Sequence, residues 1–140
     1  GMNWDDIQYQ RWSNMGFAPY GQSKCMNILH AVELSRRLEG TGVTANALHP
    51  GLVSTGFGRN NGCISNVLIS LLQPFAKTAA QGAETSVYLA SSAEVAGTTG
   101  KYYADCEEKT PIPEATDPDN ARRLWDYTEN LLREKTPPAV

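Results

Sequence analysis

From residue 20 to residue 38 the chain repeats apolar side chains at the spacing of an α-helix. Cys25, Ile28, Leu29 and Val32 fall on one stripe, and Ala31, Leu34 and Leu38 widen it, the pattern of a helix packed on more than one side. Pro19 stands at a first helical position, only Gly21 interrupts the good helix formers, and Gly40 supplies the stop. The charged residues Glu33, Arg36, Arg37 and Glu39 gather at the far end. The period then changes. Residues 43–48 form a short, mostly apolar run with a β-branched start that suits a buried parallel strand, and residues 100–104 give a second strand. Thr78-Ala79-Ala80-Gln81 is a capping box, opening a helix with Ala83, Val87, Tyr88 and Leu89 on its apolar side until Ser91-Ser92 and Gly97 end it. Asp117-Pro118 opens another as N-cap and first residue, with Leu124, Trp125, Thr128, Leu131 and Leu132 along one face and Pro137-Pro138 closing it.

The chemistry sits at the mostly uncharged start of the first helix. Tyr20 and Lys24 are four residues apart, which on a helix places them roughly 40° apart on one face. A phenol with an ordinary pKa near ~10 is a poor proton donor and acceptor at neutral pH, and a neighbouring ammonium favours the phenolate. Tyr20 would thereby be tuned toward general acid/base work. Alone, the spacing is a two-residue match that chance supplies often, and a solvent-facing i,i+4 pair is its more ordinary meaning; the succession adds the chemistry. A helix, a strand and then the Pro50-Gly51 bend at the strand's carboxyl end is where open α/β sheets bind ligands.

Taken with His49-Pro50-Gly51-Leu52-Val53-Ser54-Thr55, Tyr88-Leu89-Ala90-Ser91-Ser92, Gly100-Lys101-Tyr102-Tyr103-Ala104-Asp105 and Arg123-Leu124-Trp125, the Tyr20–Lys24 pair makes the chain resemble the short-chain dehydrogenases/reductases, in their retinol-dehydrogenase-like branch. The likeness covers nearly everything after Pro19. It implies an α/β fold, the C-terminal half of a Rossmann-like doubly wound parallel sheet with two strands and about four helices, whose N-terminal half is missing. Residues 1–140 would form one partial dinucleotide-binding domain. In such a protein Tyr20 exchanges the proton of the substrate oxygen, and Lys24 tunes the tyrosine and hydrogen-bonds the nicotinamide ribose. Pro50, Gly51 and Val53 line the nicotinamide, Val53 at its carboxamide, and Thr55 reaches the amide or pyrophosphate. NADP or NAD is the implied cofactor of the whole protein, with none bound by this chain alone as the alternative. The substrate is an apolar alcohol or carbonyl.

Two parts of the family's machinery are not found. Only Ser13 precedes Tyr20, by seven residues, and residues 1–15 hold no apolar run that could be the strand bearing a catalytic serine; Ser13 reads as a loop residue. No strand is followed by a glycine-rich phosphate turn, and Gly56-Phe57-Gly58 lacks the third glycine at the required offset. Gly1-Met2 reads as a cleavage scar before an initiator methionine, as if the reading frame began in mid-family. The isolated chain is therefore expected to be inactive, with a stable, dimerising, non-enzymatic remnant as the alternative. An epimerase or dehydratase shares the Tyr and Lys but wants a larger C-terminal domain.

Residues 56–77 correspond to the family's substrate lid. They carry Ile64, Val67, Leu68, Ile69, Leu71, Leu72 and Phe75, with no charge over residues 60–76. That segment fits an apolar substrate, a membrane surface, a partner chain or a plain buried helix, and it is too short and too interrupted to span a bilayer. The net charge of −3 offers no basic patch for nucleic acid. Three cysteines, Cys25, Cys63 and Cys106, make neither a CxxC pair nor an even set, which points to a reducing, cytoplasmic setting. His30 and His49 lack ligand spacing and read as a helix-face residue and a neighbour of the site, not metal ligands. The missing sheet partners predict a homodimer or higher oligomer.

Overall fold

Helices α1 (Phe17–Arg37), α2 (Ala79–Ser91) and α3 (Pro118–Lys135), with strands β1 (Ala47–His49), β2 (Tyr102–Ala104) and β3 (Glu107–Glu108), are the regular elements of a computed structural model in which residues 1–11, 17–54 and 76–136 are described. The strands form one sheet of order β1-β2-β3. The chain divides into two compact units, one of Gly1–Ala47, Gly97–Tyr102 and Thr110–Val140, the other of Leu48–Ala96 and Tyr103–Lys109.

The first unit is built on α1 packed against α3. Cys25 and Leu29 of α1 meet Ala115, Ala121 and Leu124 in the core, and Met2, Trp4, Ile7, Met26, Ile28 and Val32 close around them. Small residues on one side and long ones on the other let two helices approach closely, and truncating the fully buried Leu29 to alanine would cost about 2–5 kcal/mol. Asp117 caps α3 by accepting from the Asn120 N–H at 2.7 Å, with Pro118 in the first turn. Rings and cations join the same helices outside the core. His30 stacks on Trp125 at 5.3 Å, the Arg37 guanidinium lies 4.4 Å from the same indole, and Arg123 covers Trp4 at 4.2 Å.

Glu33 is the one acid within this packing that α1 buries almost completely, at 1% exposure. Its carboxylate accepts from Arg36 Nε at 2.9 Å and Nη2 at 2.7 Å, and from Arg37 Nε at 2.7 Å. The Arg36 hydrogen bonds, helped by those of Arg37 and the charge of both, outweigh burial and hold the carboxyl at about 2.

In the second unit α2 carries the expected capping box. Thr78 Oγ1 accepts from the Gln81 N–H at 3.2 Å while the Gln81 side chain accepts from the Thr78 N–H at 2.9 Å. Strands β2 and β3 pair antiparallel, Tyr103 opposite Glu108 and Ala104 opposite Glu107. Asp105 and Cys106 form the turn between them, with φ of 56° and 61°, both in the left-handed region that a type I′ hairpin turn requires. The Cys106 N–H donates to Thr85 Oγ1 at 3.2 Å, and Thr85 is buried on α2.

The strands differ from expectation in extent. Residues 43–46 are not strand, and Val43 is 56% exposed. Side chains occupy the ladder positions there: Thr99 Oγ1 accepts from the Ala45 N–H, Asn46 Nδ2 donates to Thr98 O, and Asn46 Oδ1 accepts from the Lys101 N–H. Backbone pairing includes Gly100 N–H to Ala45 O at 2.8 Å and Ala47 N–H to Lys101 O at 2.8 Å, the partners advancing in the same direction along both segments. The third strand, β3, had no sequence signal, because Asp105-Cys106 lacks the glycine that usually marks such a turn. Three α-helices lie among the described residues against about four expected; the segment 56–75 and Pro137-Pro138 lie outside them. No helix among the described residues is long and apolar enough to cross a membrane.

The Glu33 fork generates a prediction of sign as well as size. Its folded-state pKa lies below the ordinary 4.5, so its contribution is complete above that value and is lost as the pH falls toward about 2. Urea midpoints of the wild-type chain are expected to drop more steeply over this interval than those of Glu33→Gln, which at neutral pH loses about 2 kcal/mol. Identical midpoints for the two chains at neutral pH would show that the fork does not stabilise the fold.

Candidate active site

The buried stripe of α1 decides where Tyr20 and Lys24 point. Gln22, Cys25, Leu29 and Glu33 lie on the packed side, and at about 100° per residue Tyr20 and Lys24 come out on the opposite side. Both are exposed, Tyr20 at 48%. The Lys24 ammonium stands 5.1 Å from the centroid of the Tyr20 ring, so the two side chains share one patch of surface. Ser23 Oγ donates to Tyr20 O at 2.7 Å in the same turn. Gln22, buried beside them in sequence, accepts from the Asn3 N–H at 2.6 Å and donates to Ile7 O at 2.9 Å, tying the leading segment to the start of α1.

In the second unit the chain after β1 turns through Pro50 and Gly51. Gly51 has φ of +81°, and its N–H donates to His49 Nδ1 at 3.1 Å. The backbone conformation favours glycine, and a Cβ there would lie 3.2–3.3 Å from Cε, Cδ and Nζ of Lys77, a tight contact that the lysine stem would have to relieve. Val53 then forms a parallel bridge with Lys77, in which the Ser54 N–H donates to Lys77 O at 2.8 Å and the Lys77 N–H donates to Leu52 O at 2.7 Å. Neighbouring peptides of an extended segment face opposite sides, so the N–H and C=O of Val53 are directed away from Lys77. The Val53 side chain packs on α2 at Gly82, where an added Cβ would come within 2.6 Å of Val53 Cγ2.

Of the residues expected at the site, Tyr20 and Lys24 are together on α1, and Pro50, Gly51 and Val53 are together on the bend. Thr55, Ser13, Cys63 and all of the expected lid except Ala76 and Lys77 lie outside the described residues. His30 is on a helix face against Trp125, and His49 ends β1. Cys25 is buried in the core, and burial pushes its thiol above its ordinary range. Among the described residues no three His, Cys, Asp or Glu side chains converge as a metal site would need.

Sequence reasoning passed over Lys77, Asp105 and Gly82. The lone glycine inside α2 was the available signal, since a glycine in a helix often marks close approach of another backbone or side chain. Lys77 and Asp105 form an ion pair, and the hydrogen bond from Lys77 and its charge hold the Asp105 carboxyl below the usual range. Nothing in their separate sequence positions marks them as partners.

No protein-family model matches the chain. Among curated proteins it is 47% identical over 134 residues to retinol dehydrogenase 14 of Homo sapiens, covering 94% of this chain and 40% of that protein. It is 39% identical over 141 residues to retinol dehydrogenase 13 of Homo sapiens, covering 97% of this chain and 43% of the relative. A WW domain-containing oxidoreductase of Danio rerio is 38% identical over 134 residues, 95% of this chain and 32% of that protein. The chain thus spans less than half the length of these relatives. Over nearly all of its length the chain is similar to retinol dehydrogenases, which are short-chain dehydrogenases/reductases.

The contact between Gly82 and Val53 is open to direct measurement. Alanine is the better helix former, by about 1 kcal/mol, so Gly82→Ala would stabilise α2 if space were free. The stiff, β-branched Val53 has to move instead, and the substitution is expected to destabilise by about 1–2 kcal/mol net in urea unfolding. A raised midpoint would exclude the close packing.

Proposed function

We propose that Tyr20 and Lys24 are the proton-transfer pair of an NAD(P)-dependent oxidoreductase that interconverts an apolar alcohol and its carbonyl compound, a retinol-like alcohol being the substrate suggested by the names of the relatives. The observation that carries the reading is the exposed phenol of α1 with an ammonium beside its ring, in a chain similar to retinol dehydrogenases. In oxidation the alcohol loses a proton from oxygen and a hydride from carbon. Tyr20 takes the proton and, in reduction, returns it to the carbonyl oxygen. Lys24 supplies a positive charge beside the ring and donors for a ribose hydroxyl.

The residues present fit the nicotinamide half of the cofactor. The N–H and C=O of Val53, turned away from Lys77, are the donor and acceptor that a carboxamide matches, and Pro50 and Gly51 offer a bend without a bulky side chain to obstruct a planar ring. Thr55 is assigned to the amide or pyrophosphate as the resemblance implies. When bound, NAD or NADP supplies the hydride acceptor or donor, and the protein's part is orientation and proton transfer. The same reading makes the sheet part of a doubly wound parallel sheet in the whole protein, supported by the common direction of the 45–47 and 100–101 pairing. It also takes the free thiols of Cys25 and Cys106 to indicate a reducing, cytoplasmic setting, and it includes self-association.

The test uses the full-length protein that carries this sequence. Tyr20→Phe is expected to lower kcat by roughly 10²–10⁴ while nicotinamide affinity stays within about threefold, because the ring remains and only the transferable proton is lost. Lys24→Met is expected to weaken both kcat and cofactor binding. Wild-type turnover by Tyr20→Phe would refute the assignment. For the 140-residue chain, no nicotinamide binding in calorimetry together with a dimer in light scattering would favour the non-enzymatic remnant instead.

A further inference from the structure

The bend, the β2–β3 turn and α2 are joined in a closed ring of contacts that passes through one lysine. The backbone of Lys77 holds Leu52 O and the Ser54 N–H, and its side chain runs against Gly51, with Cδ, Cε and Nζ all within 3.2–3.3 Å of where a Cβ would stand. Its ammonium then reaches the carboxylate of Asp105. Asp105 shares its tight turn with Cys106, whose N–H is anchored to the buried Thr85 of α2. From Thr85, α2 leads back by less than one turn to Gly82, on which Val53 packs. Each link lies in the second unit.

We infer that Lys77 and Asp105 are positioning residues for the Pro50-Gly51-Val53 bend, their ion pair holding the Lys77 stem against Gly51 and so fixing the direction of the Val53 peptide groups. Glycine is the residue with the widest choice of backbone conformations, and the bend turns on one. Packing of the Lys77 stem restricts that choice without a side chain on the bend itself, leaving the surface toward a planar ligand clear. The pair is partly exposed, 33% for the lysine side chain and 64% for the aspartate. Its effect is therefore a bias on the bend and not a condition for folding. The consequence for catalysis rests on the proposed nicotinamide role of the bend, whereas the structural part does not.

Lys77→Met keeps the stem and removes the charge, Asp105→Asn keeps the shape and removes the charge, and the double variant completes a cycle. Amide hydrogen exchange at Ser54 and at residue 77, read in the 140-residue chain, is expected to quicken about threefold to fivefold in each single variant and no further in the double, with the Leu29 amide unchanged. Unchanged exchange in either single variant, or additive acceleration in the double, overturns the ion pair as the cause. In the full-length oxidoreductase the same variants are expected to raise KM for the nicotinamide about threefold to fivefold at constant kcat. Accelerated exchange with an unaltered KM overturns the positioning role while leaving the dehydrogenase reading intact. A wild-type protein that binds no nicotinamide overturns that reading, and the exchange cycle then still decides whether the pair holds the bend.

Discussion

The burial of α1 on one side of its axis is the constraint on which the first unit depends. Cys25 and Leu29 lose their contact with water only if they face Ala115, Ala121 and Leu124, and a helix has one rotation that achieves this. That rotation carries Tyr20 and Lys24 to the opposite surface. The far end of the same surface is covered within the unit: Ala31 is buried, and Ser35 Oγ stands 2.7 Å from where a Cβ on Gly100 would be. The first turns are left open. Exposure and packing thus divide the helix lengthwise, with the Tyr20–Lys24 pair at the start and the arginine-clamped Glu33 toward the end. Glu33, at 1% exposure, is neutralised by Arg36 and Arg37 of the same helix, so its burial leaves no unpaired carboxylate.

Much of this was legible in the sequence, for identifiable reasons. The capping box at Thr78 and the Asp117-Pro118 start are local chemistry, fixed by side chains within a turn of the backbone they satisfy, and both stand where the residues indicated. The Tyr20–Lys24 proximity follows from helical spacing alone. Strand limits were less legible, since Asn46 and Thr99 take up backbone groups that an apolar run would leave to the ladder. The β2–β3 hairpin was silent because a cysteine occupies a left-handed turn position. The Lys77–Asp105 pair was silent for a different reason: two opposite charges separated by 28 positions have no periodicity to betray them.

The second unit reaches its local order by a different route from the first. Among its described residues Val95 and Tyr103 are the buried apolar side chains of the core, and close fits between small groups stand beside them. Gly82 admits Val53, Gly51 admits the Lys77 stem, and Thr85 presents a hydroxyl to the Cys106 N–H from a buried position. Such contacts add little hydrophobic free energy but define direction well, because a displacement of a few tenths of an ångström turns a fit into an overlap. A bend held in this way keeps its peptide groups aligned without a bulky side chain over it. That is the arrangement a flat ring with a carboxamide needs on the proposed reading.

The exposure of the Tyr20–Lys24 pair bears on how the proposed proton transfer would operate. Two opposite unit charges attract about fourfold more strongly where the effective dielectric constant is near 20 than in bulk water. On the proposed reading, an apolar alcohol and a nicotinamide ring over the pair would remove water and strengthen the interaction between its two groups several-fold. On this reading α1 need only hold the two groups on one face, and the ligands complete the electrostatics. On the same reading the backbone would secure the spacing of Tyr20 and Lys24, and their dielectric surroundings would be set by what binds.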